Sequence, residues 1–120
     1  MRGKGKKVVS PDKVLCVDVD DTICSTKERD YVNSVPIMPM VEKLREARNK
    51  GYTIVLHTAR GQGRSDGNWK TVEDEVRKEV ESFCIKFDVP WDVIVLGKPW
   101  AMWYIDDKAI RPEEFLNIQL

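Results

Sequence analysis

The sequence predicts an α/β fold: one domain built on an open, mostly parallel sheet flanked by helices. Three observations carry that prediction. Short apolar runs at residues 14–17, 52–57 and 93–96 alternate with helix-length amphipathic stretches. Each run stops abruptly at polar residues, as strands do where their carboxyl ends form a site. At 120 residues the chain has room for one sizeable core, whereas two would each be marginal.

The elements follow in order. Residues 14–17 read as a buried strand with Asp18, Asp20 and Asp21 at its carboxyl end. Residues 23–37 are polar and close with Pro36, which predicts a loop holding a small hairpin around Tyr31 and Val32. Over 40–50, Val41, Leu44 and Ala47 follow helical spacing, with Pro39 near the first turn and Gly51 as the stop. The strand at 52–57 then completes a βαβ unit of parallel sense, with Thr58 at its end, level with Asp18. Residues 60–68 hold three glycines and no apolar side chain, so they form a loop. The next helix carries Val72, Val76, Val80, Phe83 and Phe87 on one stripe, with Thr71 and Asp74 as its entry pair. Residues 93–96 read as a third strand before Gly97-Lys98-Pro99, and 103–105 as a fourth ending at Asp106-Asp107, ahead of a helix start at Pro112. The return between those two strands has only residues 98–102, and at ~3.3 Å per residue that is short for a crossover. Either the strands are shorter than drawn, or 93–96 is not a regular parallel strand.

Composition narrows the class. With 42% hydrophobic and 33% charged residues, neither disorder nor a fibrous repeat is indicated. Arg2, Lys4, Lys6 and Lys7 make the first ten residues basic and leave 16 basic against 20 acidic residues elsewhere. With Gly3 and Gly5 among them, residues 1–12 read as a flexible, solvated terminus rather than a nucleic-acid contact, and residues 13–120 as the single domain. Cys16, Cys24 and Cys84 lack any C-x-x-C spacing, so reduced thiols are expected, not a disulfide framework or zinc site. No apolar stretch approaches the ~18 residues of a membrane span, and no secretory signal is evident. A cytoplasmic protein without membrane contact is expected.

The polar strand ends carry the chemistry. In an open parallel sheet they converge on one rim, here bringing together Asp18, Asp20, Thr58, Lys98, Asp106 and Asp107. That set suits phosphoryl transfer, which needs a nucleophile, an acid for the leaving oxygen and positive charge over the phosphoryl oxygens. Asp18 is the candidate nucleophile, and Asp20 the acid that later activates water. Thr58 and Lys98 are candidates for binding the phosphoryl group. Asp18, Asp20, Asp106 and Asp107 are candidate ligands of one hard divalent cation, for which oxygen donors suit Mg²⁺.

These residues resemble a known pattern. Asp18-Val19-Asp20-Asp21-Thr22-Ile23 resembles the first motif of the haloacid dehalogenase superfamily, and Leu56-His57-Thr58-Ala59-Arg60 the second. Lys98 resembles the third, and Ile105-Asp106-Asp107 the fourth. The likeness runs over about residues 13–115 and is nearest to small phosphatase-like members linked to capsule and surface-polysaccharide synthesis. It implies a three-layer, Rossmann-like core and Mg²⁺-dependent hydrolysis of a phosphomonoester through an aspartyl-phosphate. A sugar phosphate is the first substrate guess, a nucleotide the second. Neither gap in the chain holds a folded cap, so the resemblance implies an open site closed by its own loops, a neighbouring subunit in a homo-oligomer, or a bulky substrate.

Substrate contacts are sought on Lys27, Arg29, Tyr31, Arg60, Arg64 and Trp69, with Arg60 foremost because it follows Thr58 and guanidinium suits phosphate. Other features have plainer readings. His57 faces away from Thr58 along a strand, so it reads as a packed histidine. The glycine loop lacks the G-K-[ST] of a nucleotide P-loop. Trp91, Trp100 and Trp103 read as core or interface packing, and exposure of such a cluster would reopen a base-stacking role. The rival functions are a nucleic-acid end-processing phosphatase, a phospho-acceptor switch and a non-catalytic phosphate-binding protein.

Overall fold

β-branched and apolar runs form strands wherever one face can be buried, and three do so here. The computed structural model describes residues 11–64 and 68–120. Its elements are β1 (Val14–Asp18), β2 (Cys24–Ser25), β3 (Val35–Pro36), α1 (Met38–Asn49), β4 (Thr53–Thr58), α2 (Trp69–Phe87), β5 (Val93–Leu96) and α3 (Pro112–Leu116). β1, β4 and β5 make a parallel sheet in the order β1-β4-β5, so the segment at 93–96 is a regular parallel strand. β2 and β3 pair antiparallel, with a 3-10 turn at Tyr31–Asn33 between them, which is the hairpin expected around Tyr31. The expected basic terminus falls almost wholly on residues 1–10, outside the described residues.

The sheet steps in one direction, from β1 to β4 to β5, and right-handed crossovers then place both connecting helices on the same face. Burial alternates accordingly: Ile54, Leu56 and Thr58 are sealed beneath the helices. On the other face Val93 and Val95 remain 47% and 40% exposed. Met40, Val41 and Leu44 of α1 and Val72, Val76 and Val80 of α2 fill one core with Val17, Leu56 and Ile94. The described residues thus form an α/β structure with two layers, and the third layer expected from the resemblance is not among them.

Local signals explain the helix ends. Gly51, at a φ of +88°, stops α1 and turns the chain into β4, a conformation that β-carbon-bearing residues adopt only at a cost. α2 starts earlier than its expected entry pair: the Asn68 side chain accepts from the Thr71 backbone N–H at 3.3 Å, as an N-cap does. α3 opens on Pro112 and packs Phe115 towards α1.

The expected fourth strand does not form. Residues 103–105 have no strand partner among the described residues, and Ile105 is 94% exposed. The short return identified in the sequence is the physical reason. The Lys98 N–H is bonded to the Thr58 carbonyl at 3.2 Å, which ties the chain over the end of β4. Just beyond, the Tyr104 hydroxyl donates back to the Pro99 carbonyl, closing a turn.

Candidate active site

The loop after β1 is set by its apolar residues. Val19 and Ile23 are 1% and 0% exposed and plug into the core, so the alternate positions Asp18 and Asp20 turn outward. Thr22 and Ile23 donate their backbone N–H groups to the Val19 carbonyl, and Asp21 takes a left-handed φ of +63° to complete the turn. Both carboxylates then open on a cavity of about 370 Å³ whose lining includes Thr58, Arg60, Lys98 and Trp100.

Each carboxylate faces a cation. Lys98 Nζ stands 3.3 Å from Asp18 Oδ1, and the Thr22 hydroxyl donates to Asp18 Oδ2 at 3.2 Å. Lys98 also lies over the Tyr104 ring, 4.1 Å from its centroid. A carboxylate and an ammonium 80 residues apart in sequence are thereby fixed against each other. Thr58 is buried beneath them, its oxygen accepting from the Arg60 backbone N–H at 3.0 Å, which leaves its O–H free to donate.

Arg60 departs from expectation. It was sought as an exposed substrate contact, yet its side chain is 2% exposed and forks onto Asp20, with Nη2 to Oδ1 at 2.7 Å and Nε to Oδ2 at 3.1 Å. Its remaining nitrogen meets Glu79 at 3.5 Å, and its plane lies over Tyr31 at 4.2 Å. Burial by itself would lower the guanidinium pKa, but the bond and charge of Asp20 outweigh it and raise it. Arg60 is thus the holder of Asp20. Arg64 also pairs with Glu79, at 3.0 Å, and that bond chiefly pushes its own pKa up.

Gly61 makes the arrangement fit. At its φ of +95°, a β-carbon would stand 2.8 Å from Val76 and 3.0 Å from Val72, so only glycine lets the turn after Arg60 settle on α2. Glu79, Tyr31 and Tyr104 are the site residues that the motifs did not reveal as partners. Glu75 and Glu79 are four apart and so share a face of α2, but that spacing does not single out Arg60 as their partner.

Asp106 and Asp107 are not brought to this rim as a ligand cluster. Both lie on the exposed stretch, with Asp106 accepting the Lys108 backbone N–H at 2.8 Å. That bond first, and then one from Asp107, lowers the Asp106 pKa. Among the described residues no three His, Cys, Asp or Glu side chains are grouped to hold a metal ion. The residues as placed therefore do not fit the four-carboxylate Mg²⁺ site. His57 points away from Thr58 as expected, with its pKa lowered by partial burial and then by Lys98, against an upward pull from Asp18.

Fold and site together define an α/β protein whose parallel sheet presents paired acids, a threonine and a lysine at its strand ends. No family model and no curated protein matches the chain. It is similar to a structural-genomics target from Vibrio cholerae solved by crystallography, at 36% identity and a TM-score of 0.82, covering 89% of each chain. The chain belongs to the family of that Vibrio cholerae protein. It also resembles a chain of the Pnkp1/Rnl/Hen1 complex, at 24% identity, a TM-score of 0.53, and coverage of 87% of this chain and 33% of that one. A chain of the Pnkp1/Rnl/Hen1 RNA repair complex gives 20%, 0.52, 86% and 28%. These two likenesses show a shared fold, and this protein spans about a third or less of those chains. No helix of the described residues is long and apolar enough to cross a membrane.

Proposed function

We propose that this chain is a capless haloacid dehalogenase-type phosphatase that hydrolyses phosphomonoesters with Asp18 as nucleophile. The observation that carries this reading is Asp18 lining the cavity with Lys98 Nζ 3.3 Å away, a nucleophile paired with the charge that receives a phosphoryl group.

An Asp18 oxygen attacks phosphorus as the bond to the leaving oxygen breaks, and Asp20 gives that oxygen its proton. Water then loses a proton to Asp20 and attacks phosphorus, and the Asp18–phosphorus bond breaks to release phosphate. Both Asp20 oxygens accept from Arg60, so one must leave that fork to carry the proton. Lys98 and the Thr58 hydroxyl hold the phosphoryl oxygens throughout. No step here passes through a metal. Mg²⁺ remains the cofactor suggested by the motif pattern, and its full ligand set requires Asp106 or Asp107 to reach the rim.

Phosphate release from a panel of sugar phosphates, nucleotides and phosphorylated oligonucleotides tests the reading, with Mg²⁺ and with EDTA. Wild type should release phosphate and Asp18→Asn should fall by at least about 10³-fold, the order of effect of losing a covalent nucleophile. Equal rates in the two would end the assignment. Among the substrates, nucleic-acid ends gain support from the fold shared with chains of an RNA repair complex.

A further inference from the structure

We infer that the outer half of the cavity is a nucleobase platform formed by Trp100, so that the phosphomonoester arrives on a nucleotide. This rests on the reading of the Asp18 pocket as a phosphomonoester site. Trp100 was expected to pack in a core or an interface, yet its side chain is outside the hydrophobic core and 71% exposed.

It nevertheless lines the same cavity as Asp18 and Lys98. The other two aromatic rings of that cavity are committed: Tyr104 carries Lys98 on its face, and Tyr31 carries Arg60 and Arg64 at 4.2 and 4.9 Å. Trp100 alone among the three makes no cation or ring contact among the described residues. Gly63 lies against its edge, where an added β-carbon would come into ordinary contact with the indole at 3.6 Å. The ring edge is thus seated near the Gly63 backbone, and its 71% exposure leaves indole surface open at the mouth.

An exposed indole beside the Asp18 and Lys98 pocket suits a planar heterocycle joined to the phosphate through a sugar. Arg29, exposed on the same rim and without an ion pair among the described residues, can meet a further phosphate of a chain. The chemistry is shared by a mononucleotide and a polynucleotide end. Stacking of one base on one aromatic ring shifts affinity by roughly 5- to 150-fold.

Calorimetric titration of the full-length Asp18→Asn protein, whose turnover is slowed by at least about 10³-fold, separates binding from catalysis. The probes are AMP, ribose 5-phosphate, and a short oligonucleotide with a terminal phosphate. AMP should bind about tenfold or more tightly than ribose 5-phosphate. Adding Trp100→Ala should erase that preference, and Trp100→Phe should keep most of it. Equal affinities of the two compounds, binding of neither, or a preference that survives Trp100→Ala would overturn the platform. An oligonucleotide that binds more tightly than AMP, in a salt-sensitive way reduced by Arg29→Ala, identifies a polynucleotide end; equal affinity identifies a mononucleotide. Failure of the phosphatase reading shows separately, as a wild type that binds AMP but releases no phosphate from any ester.

Discussion

Asp18 with Asp20 and Asp106 with Asp107 are both acidic pairs that follow an apolar stretch, but the structure builds in only the first. Around Asp18 the intervening Val19 and Ile23 are driven into the core, so the chain cannot move without opening it. The exposed carboxylates are held in consequence, and Lys98 and Arg60 are placed against them. Ahead of Asp106, Ile105 and Trp103 are 94% and 74% exposed and anchor nothing. An acid becomes part of a site when its apolar neighbours are buried, which a motif alone does not guarantee.

The sharpest way to break that comparison is to truncate the neighbours. Ile23→Ala should cost about 2–5 kcal/mol, the range for a fully buried isoleucine, since it removes packing and leaves a void. Ile105→Ala should fall within about 0.5 kcal/mol of wild type, as exposed substitutions do. Denaturant midpoints measure both, and comparable losses would mean that the 103–105 stretch is packed in solution after all.

Next in size is the bond that holds Asp20. Arg60→Met keeps the bulk but leaves Asp20 without its cation and Glu79 with Arg64 alone, which should cost about 3 kcal/mol, the low end for breaking a buried pair because Asp20 reaches some water. Lys50→Met, which removes an exposed partner of Glu46, should cost less than about 0.5 kcal/mol. If the two variants unfold at the same denaturant concentration, Arg60 does not anchor the site.

The sequence made the βαβ half of this molecule legible because its signals are local. Apolar period, Pro39, Gly51 and the abrupt acids at Asp18 each act within a few residues, and β1, α1, β4, α2 and β5 all stand close to where they were expected. The convergence of Asp18, Thr58 and Lys98 was legible too, because parallel strands carry their carboxyl ends to one side. Three features were not. Which face of the sheet stays bare depends on strand order, and a run such as Val93-Ile94-Val95-Leu96 reads alike with one face buried or two. Whether residues 103–105 pair depends on a path length that the motif ignores. The fate of Arg60 was hidden because its partners lie 40 residues upstream and 19 downstream.

The smallest expected effect extends the comparison to the two faces of the sheet through their thiols. Cys84, on α2 beneath the core, has its pKa pushed up to about 12, first by burial and then by nearby Cys24. Cys24 is pushed up to about 11, again mainly by burial. Cys16 lies exposed on the bare face, with a smaller rise. A thiol reagent at pH 8 should therefore modify Cys16 well before the other two in the folded protein. The linkage sign follows from the same shifts. An unfolded cysteine loses its proton near its ordinary pKa of 9.0, while buried Cys84 keeps its proton in the folded state, so above that pH the native chain binds more protons. The thiol's contribution to stability is whole below pH 9 and falls as pH rises from 9 towards about 12. Cys84→Val keeps an apolar group in the core and removes that term. The stability difference between variant and wild type should be flat up to pH 9 and then shift in favour of the variant. A difference that stays flat to pH 11 would show that Cys84 titrates alike in the folded and unfolded chain, and that the covered face is no better sealed than the bare one.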